Sequence, residues 1–295
     1  MATIITDLKE TFRRGNIYIQ LIYINVAVFI LTTLTEVMFQ LFNRSIAGVF
    51  EWLELPASVI RFILQPWSLL TYMFMHAGFM HILFNMLWLY WFGALFLSFF
   101  SAKHLRVYIL GGICGGLLYM AAYNIFPYFR PMTDYSFMLG ASASVLAIVA
   151  ATSYREPNYP IRLLLFGTIR LKYLALIVIG TDLLFITSSN AGGHIAHLGG
   201  ALAGVWFAAS LSKGSDLTSW INKCLDTLVS IVNFKPRKPK MKVHYGTGKQ
   251  KDYDYNARKK AQSDEIDRIL DKLKKSGYES LTTEEKKSLF DASKR

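Results

Sequence analysis

Gly140-Ala141-Ser142-Ala143-Ser144 lies inside a hydrophobic segment, and Gly193-His194-Ile195-Ala196-His197-Leu198-Gly199-Gly200 opens another. Polar and ionisable side chains at membrane depth are costly and mark functional sites. Serine and histidine are also the smallest pair that performs nucleophilic acyl transfer. The imidazole takes the hydroxyl proton and the oxygen attacks. Together the two stretches point to a serine hydrolase built inside a bilayer.

The rest of the chain fits a membrane protein. Of its 295 residues 53% are hydrophobic and 15% aromatic, and the mean hydropathy is +0.31, which a soluble domain rarely reaches. Charge is uneven: 20 of the 32 Lys and Arg follow residue 212, so an apolar body precedes a basic tail. Cys114 and Cys224 are the two cysteines; they suggest neither a disulfide framework nor a thiolate metal site. The N-terminal charges, with no Ala-x-Ala site after the first apolar run, make a poor signal peptide, so that run reads as a retained anchor.

About 20 apolar residues cross the hydrocarbon core. Six segments fit that measure, roughly 18–41, 69–97, 105–126, 137–153, 172–188 and 193–212. Arg13, Arg14, Lys103, Arg106, Arg155, Arg162, Arg170 and Lys172 then share a side with the basic tail, against Arg44, Arg61 and Arg130 opposite. The positive-inside rule makes both termini cytoplasmic. Ser142 and His197 fall near the outer face, at matched depth in helices four and six. The first outer connection, about 43–68, contains Val49 to Leu55 and Val59 to Leu64 and reads as a segment lying in the membrane interface.

Three sets of residues carry the chemistry. In helix four Ser142 and Ser144 are about 200° apart, so only one faces a partner helix. Small neighbours Gly140 and Ala143 give Ser142 room for a peptide, and Ser144 is expected to bond back to a carbonyl of the preceding turn. In helix six His194, His197, Gly200 and Gly204 share a face that invites close contact. Depth favours His197 as the base and leaves His194 at the rim. In helix two His81 and Asn85 stack one turn apart behind His76; they read equally as a cradle for developing negative charge or as interhelical hydrogen-bond glue. Asp182, about six residues below the outer end of helix five, reads as a hydrogen-bonded or bundle-facing structural acid, with a supporting catalytic role as the alternative. Gly111-Gly112 and Gly115-Gly116 read as packing contacts of helix three.

His76-x4-His81-x3-Asn85, Gly140-x-Ser142 and Ala196-His197-x-x-Gly200-x-x-x-Gly204 together resemble the rhomboid intramembrane serine proteases, over roughly residues 15–212. The resemblance implies an all-α, six-transmembrane-helix rhomboid bundle and a Ser142–His197 dyad without an acid. It also implies an oxyanion site from His81, Asn85 and the Ser142 N–H, with His76, Gly140, Ala143 and Gly200 in support. A water-filled cavity would open to the outer side, gated by helix five and about residues 187–193. No metal or cofactor is expected. Three positions depart from the family pattern: Ala143 where Gly usually follows the serine, Ser68 after Trp67 in place of an arginine, and Leu97 in place of a glutamate. The methyl of Ala143 is expected to narrow the substrate channel at most.

After the bundle, Leu217, Trp220, Ile221, Cys224, Leu225, Leu228 and Val232 form one stripe of an interfacial helix. Basic runs at 235–240 and 258–260 suit lipid contact; without an aromatic-basic module they do not suggest nucleic acid. Ile266, Ile269, Leu270 and Leu273 fit a short helix stopped at Gly277, and Thr282-x-x-Glu285 resembles a capping box. The expected divisions are a cytoplasmic segment 1–16, a protease domain 17–212, an interfacial helix and basic linker 213–262, and a small cytoplasmic helical hairpin 263–295.

These features describe an intramembrane serine endopeptidase, forming an acyl-enzyme and cutting single-pass or polytopic membrane proteins in a bacterial inner membrane. The first alternative is a catalytically inactive rhomboid-like protein that binds membrane clients. A small transporter is the second, though it would spread polar residues along several helices at mid-depth.

Overall fold

The computed structural model describes residues 10, 12, 15–163, 167–232 and 248–293, in two compact units, Met1–Asn233 and Phe234–Arg295. Arg13, Arg14 and the basic run 235–240 lie outside the described residues. The first unit holds seven principal helices: α1 (Ile17–Leu41), α2 (Phe79–Phe99), α3 (Val107–Ile125), α4 (Ser142–Arg155), α5 (Leu171–Leu184), α6 (Ala191–Ser212) and α7 (Ser219–Val232).

Among the described residues four helices are long and apolar enough to cross a membrane: α1, α2, α3 with its leading turn from Ala102, and α6. The other two expected spans are shorter, 14 residues each for α4 and α5, about 21 Å at 1.5 Å per residue. Helix α4 is enclosed by protein, with every residue from Ala143 to Ser153 buried. The outer faces carry Leu31, Leu34, Leu41, Trp91, Leu184 and Leu202, all exposed. Such an apolar surface suits lipid rather than water, and the chain is a membrane protein.

Helix four is expected from residue 137 but starts at Ser142. Phe137–Met138 instead forms strand β2, antiparallel to β1 (Leu55–Pro56) in the first loop, with Leu55 opposite Met138 and Pro56 opposite Phe137. Gly140 follows at φ +130°, a backbone state that ends any helix and that only glycine adopts freely. Its N–H donates to the Tyr72 carbonyl at 2.9 Å.

The first loop is a folded structure. Trp52 and Trp67 stack at 6.1 Å, and Trp67 Nε1 donates to the Trp52 carbonyl at 2.8 Å. Gln65 Nε2 donates to the carbonyls of Glu51 and Glu54, and Thr71 Oγ1 to that of Leu53. Three side chains thus anchor the loop. Val49, Ile60, Ile63 and Leu64 face outward, as an interfacial segment requires. Leu97 packs against the core.

Close helix packing forms the centre. A Cβ on Gly200 would run into the Ala143 carbonyl oxygen, so α4 and α6 touch backbone to backbone there. On α3, Gly115 meets Ala143 and Ala196, which makes the helix-three glycines packing contacts. After α6, Arg106 donates to Asn222 of α7 and Ile221 is buried, while Trp220 stays exposed.

The second unit contains α8 (Gly248–Ser276) and α9 (Thr283–Ser293). Helix α8 has 29 residues and extends well before Ile266, where Ala257, Arg258, Lys259, Lys260, Ala261 and Gln262 are good helix formers. Gly277, at φ +78°, ends it. The capping box is present: the Thr282 N–H donates to Glu285 Oε2 at 2.8 Å and the Glu285 N–H to Thr282 Oγ1 at 3.3 Å.

Candidate active site

Ser142 is the first residue of α4, and no side chain caps that helix start. The orphan N–H groups of a helix's first turn are therefore available there, with the positive end of the dipole. Ser142 Oγ lies 2.6 Å from His197 Nε2 on α6. This is the separation that a nucleophile and its general base need. Ser144 is fully buried on the side facing α3, beside Gly112. Its hydroxyl has no hydrogen-bond partner among the described residues, so the expected bond back to the preceding turn is not made.

Ala143 is also buried, pointing at Gly115 rather than into a cavity. Its methyl is accommodated by the third helix, and the expected narrowing of a substrate channel is corrected accordingly.

The residues of α2 gather beside this pair. A Cβ on Gly140 would lie 2.9 Å from His81 Nε2, so glycine is needed for space as well as for its φ. The Ala77 N–H points at His81 Nδ1 at 3.4 Å, which makes Nδ1 an acceptor and leaves the hydrogen on Nε2, the atom beside Gly140. Asn85 Nδ2 donates to the His81 carbonyl at 2.9 Å; that fixes the amide, and its second hydrogen remains for another acceptor. His76 is buried with its ring 5.1 Å from that of His81, a packing support behind it.

Two cavities meet at the serine. One of about 390 Å³ is walled by Phe84, Trp88, Val145, Leu146 and Val178, with Asn85 among its few polar groups. The second, about 530 Å³, runs past Ser136, Leu139, Ser189, Asn190 and Gly193. His81, Ser142 and His197 line both.

Asp182 is hydrogen-bonded as expected, but at a different depth. It is buried, and its Oδ1 lies 2.8 Å from both His197 Nδ1 and His194 Nδ1. Helix α5 ends at Leu184 rather than near 188, so Asp182 occupies its last turn, level with the histidines. Asp182, His194 and His197 bring their ligand atoms within 4.8 Å of one another, a donor set whose chemistry would also suit a divalent ion. Here the same atoms are joined by hydrogen bonds.

Residues 64–214 match the Rhomboid domain family, and residues 249–295 match a separate family of unknown function (DUF6576). RHOMBOID-like protein 12, mitochondrial, from Arabidopsis thaliana is 30% identical over 157 residues, 50% of this chain and 47% of the relative. The chain thus spans about half the length of that curated relative. The Rhomboid match takes in just over half of the 295 residues and includes His76, His81, Asn85, Ser142, His197 and Gly200: the chain belongs to the rhomboid family.

Proposed function

We propose that this protein is an intramembrane serine endopeptidase that cuts other membrane proteins within or near their transmembrane segments. The carrying observation is the 2.6 Å approach of Ser142 Oγ to His197 Nε2 where two cavities meet. His197 Nε2 takes the hydroxyl proton as Ser142 Oγ adds to the scissile carbonyl. The developing oxyanion is held by the Ser142 N–H, by Nε2–H of His81 and by the free hydrogen of Asn85 Nδ2. His197 returns the proton to the leaving amine, and the acyl-enzyme forms. Water then enters and gives a proton to His197 as its oxygen adds to the acyl carbon; His197 passes that proton to Ser142 Oγ as the ester bond breaks and the acid product leaves.

The apolar walls of the smaller cavity suit an apolar substrate side chain next to the scissile bond. The larger and more polar cavity supplies room for water. Six spans are proposed, with α4 and α5 as the short inner pair, and both termini on the side that carries the positive loops. The proposed protease domain is 17–212, followed by interfacial helix, linker and hairpin. Only membrane residence is carried forward for location, because the curated relative is mitochondrial and does not support a bacterial inner membrane. The inactive client-binding alternative gains nothing from Ala143, whose side chain lies away from the cavities.

Labelling with a fluorophosphonate tests the reading. Wild-type protein takes up the probe and Ser142→Ala does not. Equal labelling of both, or none in a wild-type preparation that has kept its fold, refutes it.

A further inference from the structure

Asp182 Oδ1 receives two imidazoles at 2.8 Å each. A carboxylate only accepts hydrogen bonds, so both Nδ1 atoms must carry hydrogen. In neutral His197 the other nitrogen, Nε2, then holds a lone pair, which is the form that can accept the Ser142 proton. Without Asp182 the ring has no partner on its Nδ1 side among the described residues and is free to adopt the other tautomer, which cannot act as base. Asp182 is 4% exposed, and its Oδ2 has no partner among the described residues. Burying such a group is costly unless it is hydrogen-bonded, and the two bonds it makes go to histidines of α6, one of them the His197 that meets Ser142.

We propose that Asp182 is a positioning residue that holds His197 as the Nδ1–H tautomer, making a Ser142–His197–Asp182 relay in place of a two-residue centre. His194 is the second donor that fixes the carboxylate. This rests on the proteolytic reading above. As Ser142 Oγ bonds to the carbonyl carbon, its proton moves to His197 Nε2, and the imidazolium is stabilised by the carboxylate. Asp182 itself takes no proton, and the proton on Nε2 leaves with the amine. A carboxylate in this relation to a base is worth about 10⁴-fold in kcat in soluble serine proteases. Sharing one oxygen between two imidazoles reduces its hold on either.

The experiment uses the full chain in proteoliposomes, with cleavage of a transmembrane substrate measured for wild type, Asp182→Asn, Asp182→Glu, His194→Ala and Ser142→Ala. Asp182→Asn is expected to lower kcat by roughly 10²- to 10⁴-fold with KM and thermal midpoint nearly unchanged. Asp182→Glu regains part of the rate. His194→Ala loses less than Asp182→Asn. Wild-type kcat in Asp182→Asn, or a loss that follows KM or the thermal midpoint and is not relieved by Asp182→Glu, overturns the proposal and leaves a helix tie.

Nitrogen-15 NMR of ring-labelled histidine gives a readout independent of turnover. His197 of the wild type should be protonated at Nδ1 and bare at Nε2, and the reverse pattern overturns the assignment even if a variant fails to fold. If wild type neither cleaves nor labels at Ser142, the proteolytic reading fails, whereas the tautomer still decides what Asp182 does.

Discussion

Gly115→Ala is the most demanding test of how the site is held. A Cβ at Gly115 would lie 2.7 Å from the Ala196 carbonyl oxygen and 2.8 Å from Ala143 Cβ. Ordinary contact begins near 3.4 Å, so α3 must retreat, or its neighbours must part, by about 0.6 to 0.7 Å. Those neighbours are the residues adjoining His197 and Ser142, whose own separation is 2.6 Å. Overpacking of a core costs about 1–3 kcal/mol, and exchanging glycine for alanine in a helix returns about 1 kcal/mol. The net loss of stability is therefore about 0–2 kcal/mol. Rate is affected more, because a misplacement of about 1 Å costs around 10²-fold; a drop in kcat of about 10- to 100-fold is expected. The assay is steady-state cleavage in detergent, alongside a thermal scan of the same preparation. Adding Ala143→Gly removes one of the two collisions and should recover part of the rate. Wild-type kcat in Gly115→Ala, or no recovery in the double variant, refutes the claim that α3 sets the Ser142–His197 distance.

His197→Ala should be as inactive as Ser142→Ala and the double variant no worse, since residues acting as one unit are not additive; a kcat series on all three checks this. Asn85→Ala should lower kcat by about 10- to 1,000-fold, in line with losing one oxyanion donor, and a wild-type rate would return Asn85 to packing. Ser144→Ala should keep full activity and unfold no earlier than wild type, because it deletes a buried hydroxyl that has no partner. Removing residues from 236 onward should leave cleavage in detergent largely unchanged, since no group in the proposed reaction comes from that segment. Cysteine labelling at a tail position and near Arg130 tests the accompanying topology, which fails if both are exposed on one side.

The gathering of Ser142, His197, His81 and Asn85 around one cavity was legible in the sequence because helical spacing and family motif agree. What escaped was geometry that spacing cannot encode. Phe137-Met138-Leu139 is apolar enough to read as the start of a helix, yet Met138 pairs with Leu55, a partner far away in sequence. The apolar residues past Leu184 lengthen the apparent helix and make Asp182 read deeper than the last turn it occupies. The polar pair Thr181-Asp182 next to the histidine motif was the signal that could have placed it. Ser144 and Ala143 were judged from helix α4 alone, whereas α3 decides where both side chains lie. In the tail, the apolar positions after Ile266 marked only the part of α8 with a face to bury.

The pairing of β1 with β2 has a mechanical consequence. The run into Ser142 is moored at three points: the Ala57 N–H to the Ser136 carbonyl at 3.0 Å, Tyr119 Oη to Ser136 Oγ at 2.8 Å, and the Gly140 N–H to the Tyr72 carbonyl. The first mooring belongs to the loop whose Ile60, Ile63 and Leu64 face outward. A lateral force on that loop, from a thinner or more crowded bilayer, would be passed by a two-residue ribbon to the backbone six residues before Ser142. The loop would then act as a tiller on the serine, with the thickness of the surrounding lipid among the variables that set its aim.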